Sequence, residues 1–353
     1  TIAPTGSVRD YYSETSYGTM TLSSTVVAWV TLPQNEHYYA DGWNQGGGTY
    51  PNNAQGMVED ALDLVDPLVD FGNFDTDNDG WIDAIDIIHS GWGAESGNTF
   101  DRIWSHRWSL WALPGGSWTS SDNNGLGNPV RVYDYHTEPA LRGSSGTGIT
   151  RIGVICHETG HFFGLPDLYD TDDAAGQTSE GAGSWAMMSN SWGFTFTQLN
   201  PPHYCAWSRI QLGWVTPTVI NAPGTYTAPQ VAQTPTVFRV DAGYPASEYL
   251  LIENRQPFGF ECTMPQGGLC IWHIDDLKGS IAANDVNDDE GFPGQAGWPG
   301  NGRHYRVALL AADGAYDMEM DQNRGDAGDP YHGGGVDRID ATTTPNTDAY
   351  QGG

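Results

Sequence analysis

The chain has 353 residues, of which 14 are Lys or Arg and 44 are Asp or Glu, so its formal net charge at pH 7 is −30. An acidic surface of this kind repels polyanions, so we do not expect nucleic acid or anionic membranes as partners. Charged residues make up only 16% of the sequence, and 14 Trp, 17 Tyr and 11 Phe supply a core, which excludes a disordered acidic tail and predicts a folded globular protein.

The first hundred residues alternate between strand-like and helix-like segments. Residues 24–33, STVVAWVTLP, are rich in β-branched side chains and predict a strand. Residues 54–71 repeat apolar side chains at helical spacing and predict a helix, and residues 84–92, AIDIIHSGW, predict another strand. This order is typical of an α/β fold.

The segment DTDNDGWIDAID, residues 75–86, matches the spacing of an EF-hand calcium loop. Carboxylates occupy loop positions one, three, five, nine and twelve, Gly80 lies at the sharp turn, and position seven offers a main-chain carbonyl. The predicted calcium ligands are Asp75, Asp77, Asp79, Trp81, Asp83 and Asp86. Asp at the last position shortens the bidentate arm and so weakens the affinity for calcium. Extracellular calcium, at millimolar concentration, would still fill such a site. We expect a structural calcium ion; the alternative is an acidic turn without metal.

Residues 157–167 read HETGHFFGLPD and carry the strongest chemical signal. On a helix, residues four apart share a face, so His157 and His161 direct two imidazoles at one metal ion, with Glu158 beside them as a base. The surrounding segment RIGVICHETGHFFG, residues 151–164, predicts that helix. We expect a zinc site, and the alternative is a surface helix that carries two histidines by chance.

The residues after this helix predict a third ligand. Gly164 is suited to the left-handed conformation that turns the chain off a helix, and Pro166 prevents the helix from resuming. The turn returns Asp167 towards the metal, and two histidines with one carboxylate leave a fourth tetrahedral position for water. The alternative is that Asp167 binds calcium or caps the turn, with Asp170 as the nearest other ligand.

A methionine-containing segment follows about twenty residues later. Residues 183–193, GSWAMMSNSWG, resemble the tight turn that places a methionine beneath the metal of long-motif zinc proteases. Met188 is the predicted residue, and an ordinary core methionine is the alternative. Residues 203–214 then predict another helix.

Beyond Thr216 the pattern changes to short alternating runs between Gly- and Pro-rich loops. We therefore predict a catalytic domain over residues 1–215 and a β-rich, calcium-stabilised region over residues 216–353. The strand-like runs are TPTVFRVDA, EYLLIENRQ, GGLCIWHID and RHYRVALLAA.

Further acidic clusters are candidates for calcium, with solvated acidic loops as the alternative. They are Asp170, Asp172 and Asp173 after the zinc motif, residues 284–291, and Asp313, Asp317, Asp326 and Asp329.

Four cysteines suggest two disulfides. Cys262 and Cys270 flank a turn-like MPQGG segment, so we expect a local bridge between them. Pairing of Cys156 with Cys205 is the hypothesis that balances the number, and two buried free thiols are the alternative.

The motifs HETGHFFGLPDLYD and GSWAMMSN resemble the immune inhibitor A family of secreted bacterial metalloproteases, which is of the metzincin type. SVRDYYSETSYG, IWSHRW, GLCIWHID and NRGDAGDPY are also similar to that family, so the resemblance extends over nearly the whole chain. It implies an α/β zincin fold, calcium-stabilised loops, a removed propeptide and protein substrates outside the cell. Asn190 stands where many metzincins carry a tyrosine after the methionine, so the oxyanion-stabilising group is not assigned; His203 or a tyrosine from another loop are candidates.

These observations predict a secreted, extracellular zinc endopeptidase that acts on proteins or peptides as a monomer. Zinc would polarise the scissile carbonyl and lower the pKa of its bound water towards about 7, with Glu158 accepting the proton. No apolar run approaches the roughly 18 residues of a membrane span. The alternatives are a catalytically silent, calcium-stabilised binding or adhesion module, and a zinc amidase of cell-wall peptides.

Overall fold

A computed structural model describes residues 6–42, 44–97, 99–172, 178–289 and 291–350. Helices and strands are both present, so the fold is mixed α/β. The helices are α1 (Val8–Thr15), α2 (Glu36–Tyr39), α3 (Ala54–Val65), α4 (Ile152–Phe162) and α5 (Ala206–Gln211). The strands are β1 (Asp86–Trp92), β2 (His106–Ser109), β3 (Trp118–Asn123), β4 (Pro129–Val132), β5 (Asp134–Leu141), β6 (Thr218–Val219), β7 (Phe238–Val240), β8 (Glu248–Arg255), β9 (Gly268–Asp275) and β10 (Val307–Leu309). Short 3-10 helices cover Asp66–Leu68, Phe71–Phe74, Ala94–Ser96, Gly183–Trp185, Gly259–Glu261 and Ile281–Ala283.

One compact unit comprises residues 23–162. Its three-stranded sheet has the order β1-β5-β2, with β1 parallel and β2 antiparallel to β5, and β3 pairs with β4 in a separate hairpin. Helix α3 begins because the Asn53 side chain accepts a hydrogen bond from Gly56 N, and it gives way to a 3-10 turn where Pro67 cannot donate one. Its apolar face, including Met57 and Leu62, packs into the buried core of this unit.

The other unit comprises residues 1–22 and 163–353. Its five-stranded sheet has the order β10-β9-β8-β7-β6, and every pair is antiparallel except β6 with β7. Helix α1 starts with a capping box between Ser7 and Asp10. The hydroxyl of Tyr11 donates to the carbonyl of Pro202 at 2.7 Å, and the Tyr12 and Tyr204 hydroxyls are hydrogen-bonded to each other, so the start of the chain packs with its later part.

Most predicted elements are confirmed. The helices expected at 54–71, 151–164 and 203–214 are α3, α4 and α5, and the strand expected at 84–92 is β1. The four later strand-like runs are β7 to β10. The prediction of a strand at 24–33 was wrong. This segment forms no regular element, and Val26 and Trp29 are 91% and 69% exposed. β-branched residues favour extended backbone, but a strand also needs a pairing partner.

The compact units divide the chain at residues 22/23 and 162/163, and a domain boundary after residue 215 stays a prediction. The change of pattern at Thr216 marks the beginning of the five-stranded sheet, but the segment from 163 to 215 belongs to the same compact unit as that sheet.

Among the described residues, no helix is long and apolar enough to cross a membrane.

The predicted disulfides are corrected by the structure, in which Cys205, Cys262 and Cys270 are free thiols. Cys270 is buried in β9, whereas Cys262 is exposed at the end of a 3-10 helix and its Sγ lies 3.4 Å from Asn200 Oδ1. The thiol of Cys205 contacts the hydroxyl of Ser208, also at 3.4 Å, so the bridge between Cys156 and Cys205 is absent as well. Burial raises the pKa of the Cys205 and Cys270 thiols, which keeps them protonated.

Candidate metal centre

Helix α4 presents the predicted zinc ligands as expected from their spacing. His157 and His161 lie one helical turn apart, with ring centroids separated by 5.1 Å. His157 is buried, and the side chain of His161 is 14% exposed, so the pair opens partly to solvent. The Glu158 carboxylate is buried and its Oε2 lies 4.0 Å from His161 Nε2.

The chain leaves α4 through Gly164, which has φ +80°. A side chain at this position would be strained, which explains why glycine ends the helix here. The turn brings Asp167 back, and His157, His161 and Asp167 each offer a ligand atom within 4.8 Å of the others. All three come from one stretch of eleven residues, 157–167, so their convergence follows from the local path of the chain. Asp170, the alternative third ligand, is not in this group, and its Oδ1 accepts a hydrogen bond from Asp172 N.

Asn284 fixes the orientation of Asp167 through a reciprocal pair of hydrogen bonds. The amide Nδ2 of Asn284 donates to Asp167 Oδ2 at 2.7 Å, and the main-chain N–H of Asp167 donates to Asn284 Oδ1, also at 2.7 Å. Partners of this kind orient metal ligands and strengthen binding. The two residues are 117 positions apart, and the sequence offered Asn284 only as part of an acidic calcium candidate.

The methionine-containing turn is joined to the residue after Asp167. Met188 is fully buried, and its carbonyl accepts a hydrogen bond from Leu168 N at 2.6 Å. Ser189 Oγ donates to the Leu168 carbonyl at 2.8 Å, so the turn and the ligand segment are held together on both sides. The Asn190 amide donates to the carboxylate of Glu180.

His203 is enclosed elsewhere in its unit. It is 1% exposed, and its Nε2 lies 2.8 Å from Glu14 Oε1. Burial lowers its pKa to about 4 despite the neighbouring carboxylate, so the ring is neutral at pH 7. Its surroundings are those of a packed ring.

The acidic loop at residues 75–86 brings three of its predicted ligands together. Asp75, Asp77 and Asp79 offer carboxylate oxygens within 4.8 Å of one another. Gly80 has φ +92° at the sharp turn, as the loop pattern requires. Its N–H and the amide of Asn124 both donate to Asp75 Oδ2, at 3.0 and 2.8 Å. Asn124 was not predicted, because it lies in a distant hairpin loop.

The last two predicted calcium ligands are placed differently. Asp83 accepts hydrogen bonds from the main chain and hydroxyl of Thr76, and so closes the loop. Asp86 is the first residue of β1, parallel pairing aligns it with His136 of β5, and its role as a calcium ligand stays a prediction. Asp86, His136 and Glu138 form a separate group of potential ligand atoms within 4.8 Å. Alternation along β5 places His136 and Glu138 on one face, but nothing in the sequence linked them to Asp86.

The late acidic cluster is partly assembled. Asp313, Asp326 and Asp329 offer oxygens within 4.8 Å, and the indole N–H of Trp185 donates to Asp329 Oδ2 at 2.7 Å. Burial raises the pKa of Asp329 to about 7. Asp317 lies outside this group and accepts a hydrogen bond from Asn323, while Asp173 is outside the described residues.

Comparison with known proteins finds similar sequences. Residues 4–215 match the model of the immune inhibitor A peptidase M6 catalytic domain. The chain is 34% identical over 203 residues to Immune inhibitor A of Bacillus thuringiensis subsp. alesti. The aligned segment covers 51% of this chain and 28% of that protein. It is 30% identical over 223 residues to pre-pro-metalloprotease PrtV of Vibrio cholerae serotype O1, covering 58% of this chain and 23% of that protein. The matched part is therefore about a quarter of each relative.

Proposed function

Since the chain belongs to the immune inhibitor A family of M6 peptidases, we propose that it is a secreted zinc endopeptidase with a metzincin-like catalytic fold. The observation that carries the proposal is the convergence of His157, His161 and Asp167 beside the carboxylate of Glu158. Extracellular proteins or peptides are the proposed substrates, and the chain is proposed to act as a monomer.

The three ligands fit zinc. Two imidazoles and one carboxylate form a recognised catalytic donor set, which leaves one tetrahedral position open. Asn284 holds the Asp167 carboxylate in place, so the third ligand is pre-oriented. Zinc bound there would polarise a scissile carbonyl and make water a nucleophile near neutral pH.

Glu158 is the proposed general base. It is not one of the three converging ligands; it follows His157 in α4, and its Oε2 lies 4.0 Å from His161 Nε2. Its position allows it to accept a proton from the attacking water and to deliver that proton to the leaving amine. Met188, which is buried and bonded to Leu168, is the proposed floor of the metal site.

Calcium is the proposed structural cofactor. Asp75, Asp77 and Asp79 form an oxygen-rich group around a sharp turn, and Asp313, Asp326 and Asp329 form another. Calcium takes six to eight oxygen ligands, so main-chain carbonyls and water would complete either site. An extracellular location would supply the ion at millimolar concentration.

The test is casein hydrolysis by wild type, Glu158→Ala and Asp167→Ala, with the zinc content of each protein measured. Glu158→Ala should keep its zinc and lose on the order of 10²- to 10⁴-fold in turnover, because the base and the ligands are separate residues. Asp167→Ala should lose both zinc and turnover.

Retained turnover in Glu158→Ala would remove this residue from the mechanism. Zinc-loaded wild type that cleaves neither casein nor gelatin would contradict the endopeptidase proposal. Release of amines from cell-wall peptides would then identify an amidase, and its absence would identify a binding module.

A further inference from the structure

A second group of potential metal ligands lies in the unit formed by residues 23–162. Asp86 of β1 and His136 and Glu138 of β5 each offer one ligand atom, and these atoms lie within 4.8 Å of one another. None of the three belongs to the His157, His161 and Asp167 group.

The geometry of the sheet creates this group. Strands β1 and β5 are parallel, and Asp86 is the register partner of His136. Glu138 follows two residues later, so its side chain lies on the same face of β5 as that of His136. The His136 ring contacts the ring of Phe162 at the end of α4, with centroids 5.3 Å apart, which places this face of the sheet next to the helix.

The group brings a buried carboxylate and a buried imidazole together, and Asp86 is partly exposed. Glu138 is fully buried, and its Oε2 has no hydrogen-bond partner, while its Oε1 lies 2.8 Å from His136 Nδ1. In the described part of the chain, Asp86 and Glu138 form ion pairs with His136 alone. Burial raises the pKa of Glu138 to about 8, and the nearby Glu158 carboxylate adds to this shift. A buried carboxylate of this kind needs either a proton or a cation.

The donor set and its spacing match zinc better than calcium. Ligands about 2.0–2.2 Å from a tetrahedral ion lie about 3.3–3.6 Å apart. His136 Nδ1 lies 3.6 Å from Asp86 Oδ1, which is within that range, and 2.8 Å from Glu138 Oε1, which is below it. Calcium requires six to eight oxygens, and an imidazole is not among its usual ligands.

We propose that Asp86, His136 and Glu138 form a second binding site for a zinc-type divalent cation. The ion replaces the proton between the carboxyls and links two strands whose ligands are about fifty residues apart in the sequence. The Asp86 side chain is 30% exposed, which gives the ion access from solvent. The site does not depend on peptidase activity.

The test is zinc stoichiometry on the full chain. Protein stripped with a chelator is equilibrated with zinc held at a low free concentration by a metal buffer, with millimolar calcium present to fill the oxygen-rich loops. Wild type is compared with Glu138→Gln and Asp86→Asn, and metal is counted by mass spectrometry. Glu59→Gln is the matched control, since Glu59 is a partly buried glutamate in the same unit that accepts a hydrogen bond from Tyr50.

Wild type and Glu59→Gln should each bind one zinc more per chain than Glu138→Gln and Asp86→Asn. A crystal of zinc-loaded wild type should show an anomalous peak among Asp86, His136 and Glu138. If Glu138→Gln fails to fold, the partly exposed Asp86→Asn and the wild-type crystal decide the question.

Equal zinc counts in folded variants and wild type, or no anomalous peak at the cluster, would overturn the proposal and assign a shared proton to the two carboxyls. His161→Ala separates this site from the proposed catalytic one, because it should remove a different zinc ion and leave the loss caused by Asp86→Asn unchanged. A wild-type protein that fails to cleave casein would leave these counts unaffected.

Discussion

Replacing Asn284 by glycine tests whether zinc affinity depends on the orientation of Asp167. Asn284 has φ +60°, a left-handed conformation that glycine adopts without strain. Asn284→Gly therefore removes the two side-chain hydrogen bonds to Asp167 and disturbs the backbone little. Zinc binding should weaken while the ligands themselves remain.

The size of the effect follows from the two contacts. The donation from Asn284 Nδ2 to Asp167 Oδ2, at 2.7 Å, is a hydrogen bond to a charged group, which is worth about 1.5–3 kcal/mol. Loss of such a partner typically costs 10–100-fold in metal affinity, or about 1.4–2.8 kcal/mol. The two estimates agree, so we expect the zinc dissociation constant to rise about 10- to 100-fold.

The assay is competition for zinc with a chromogenic chelator, which reports affinity without relying on turnover. Asn301→Gly is the matched control: Asn301 is exposed, and its side chain is hydrogen-bonded to Arg303 N and Ala296 O, neither of which belongs to a ligand. Its zinc affinity should equal that of the wild type.

An Asn284→Gly protein that binds zinc within twofold of wild type would refute the orienting role. The same loss of affinity in Asn301→Gly would also refute it, since the effect would then come from general destabilisation and not from the contact with Asp167.

Two further predictions concern stability. Asp75→Ala should abolish most of the calcium-dependent rise in the thermal unfolding midpoint. Without calcium it should lower the free energy of unfolding by about 1–3 kcal/mol, because Asn124 and Gly80 lose their shared acceptor. An unchanged calcium response in a thermal melt would exclude this loop as a calcium site. The second prediction concerns His203, whose pKa is about 4 in the folded state and about 6.5 in the unfolded state. Between these pH values the unfolded state binds more protons than the folded state. The free energy of unfolding should therefore fall by up to about 3 kcal/mol as pH decreases from 6.5 to 4. Urea unfolding at several pH values measures this, and His203→Asn should show a flatter dependence; an equal slope in both proteins would contradict the assignment.

Residues close in the sequence were the most predictable. His157 and His161 share a helix face because their spacing is four, and Gly164 ends that helix because it tolerates positive φ. Asp75, Asp77 and Asp79 converge because they alternate within five residues and Gly80 adopts positive φ at the sharp turn that follows. Their roles in binding metal stay predictions until the ions are measured.

Long-range relations were less predictable. The segment 24–33 has the composition of a strand but forms no regular element, and Cys205, Cys262 and Cys270 are free thiols although an even number of cysteines suggested disulfides. Asp86 fitted the last position of a calcium loop by spacing, yet strand pairing places it beside His136. In each case the outcome depends on a partner that spacing cannot identify.

Local residue patterns were enough to predict the helix with its two histidines and glutamate, the turn towards Asp167 and the acidic calcium-like loop, because a few covalently linked residues define each of them. The contacts of Asn284 with Asp167, and of Asp86 with His136 and Glu138, became visible in the folded chain alone. These contacts arise when segments 50 to 117 residues apart pack together. Such partners are determined by the packing of the whole chain, so a local residue pattern does not predict them.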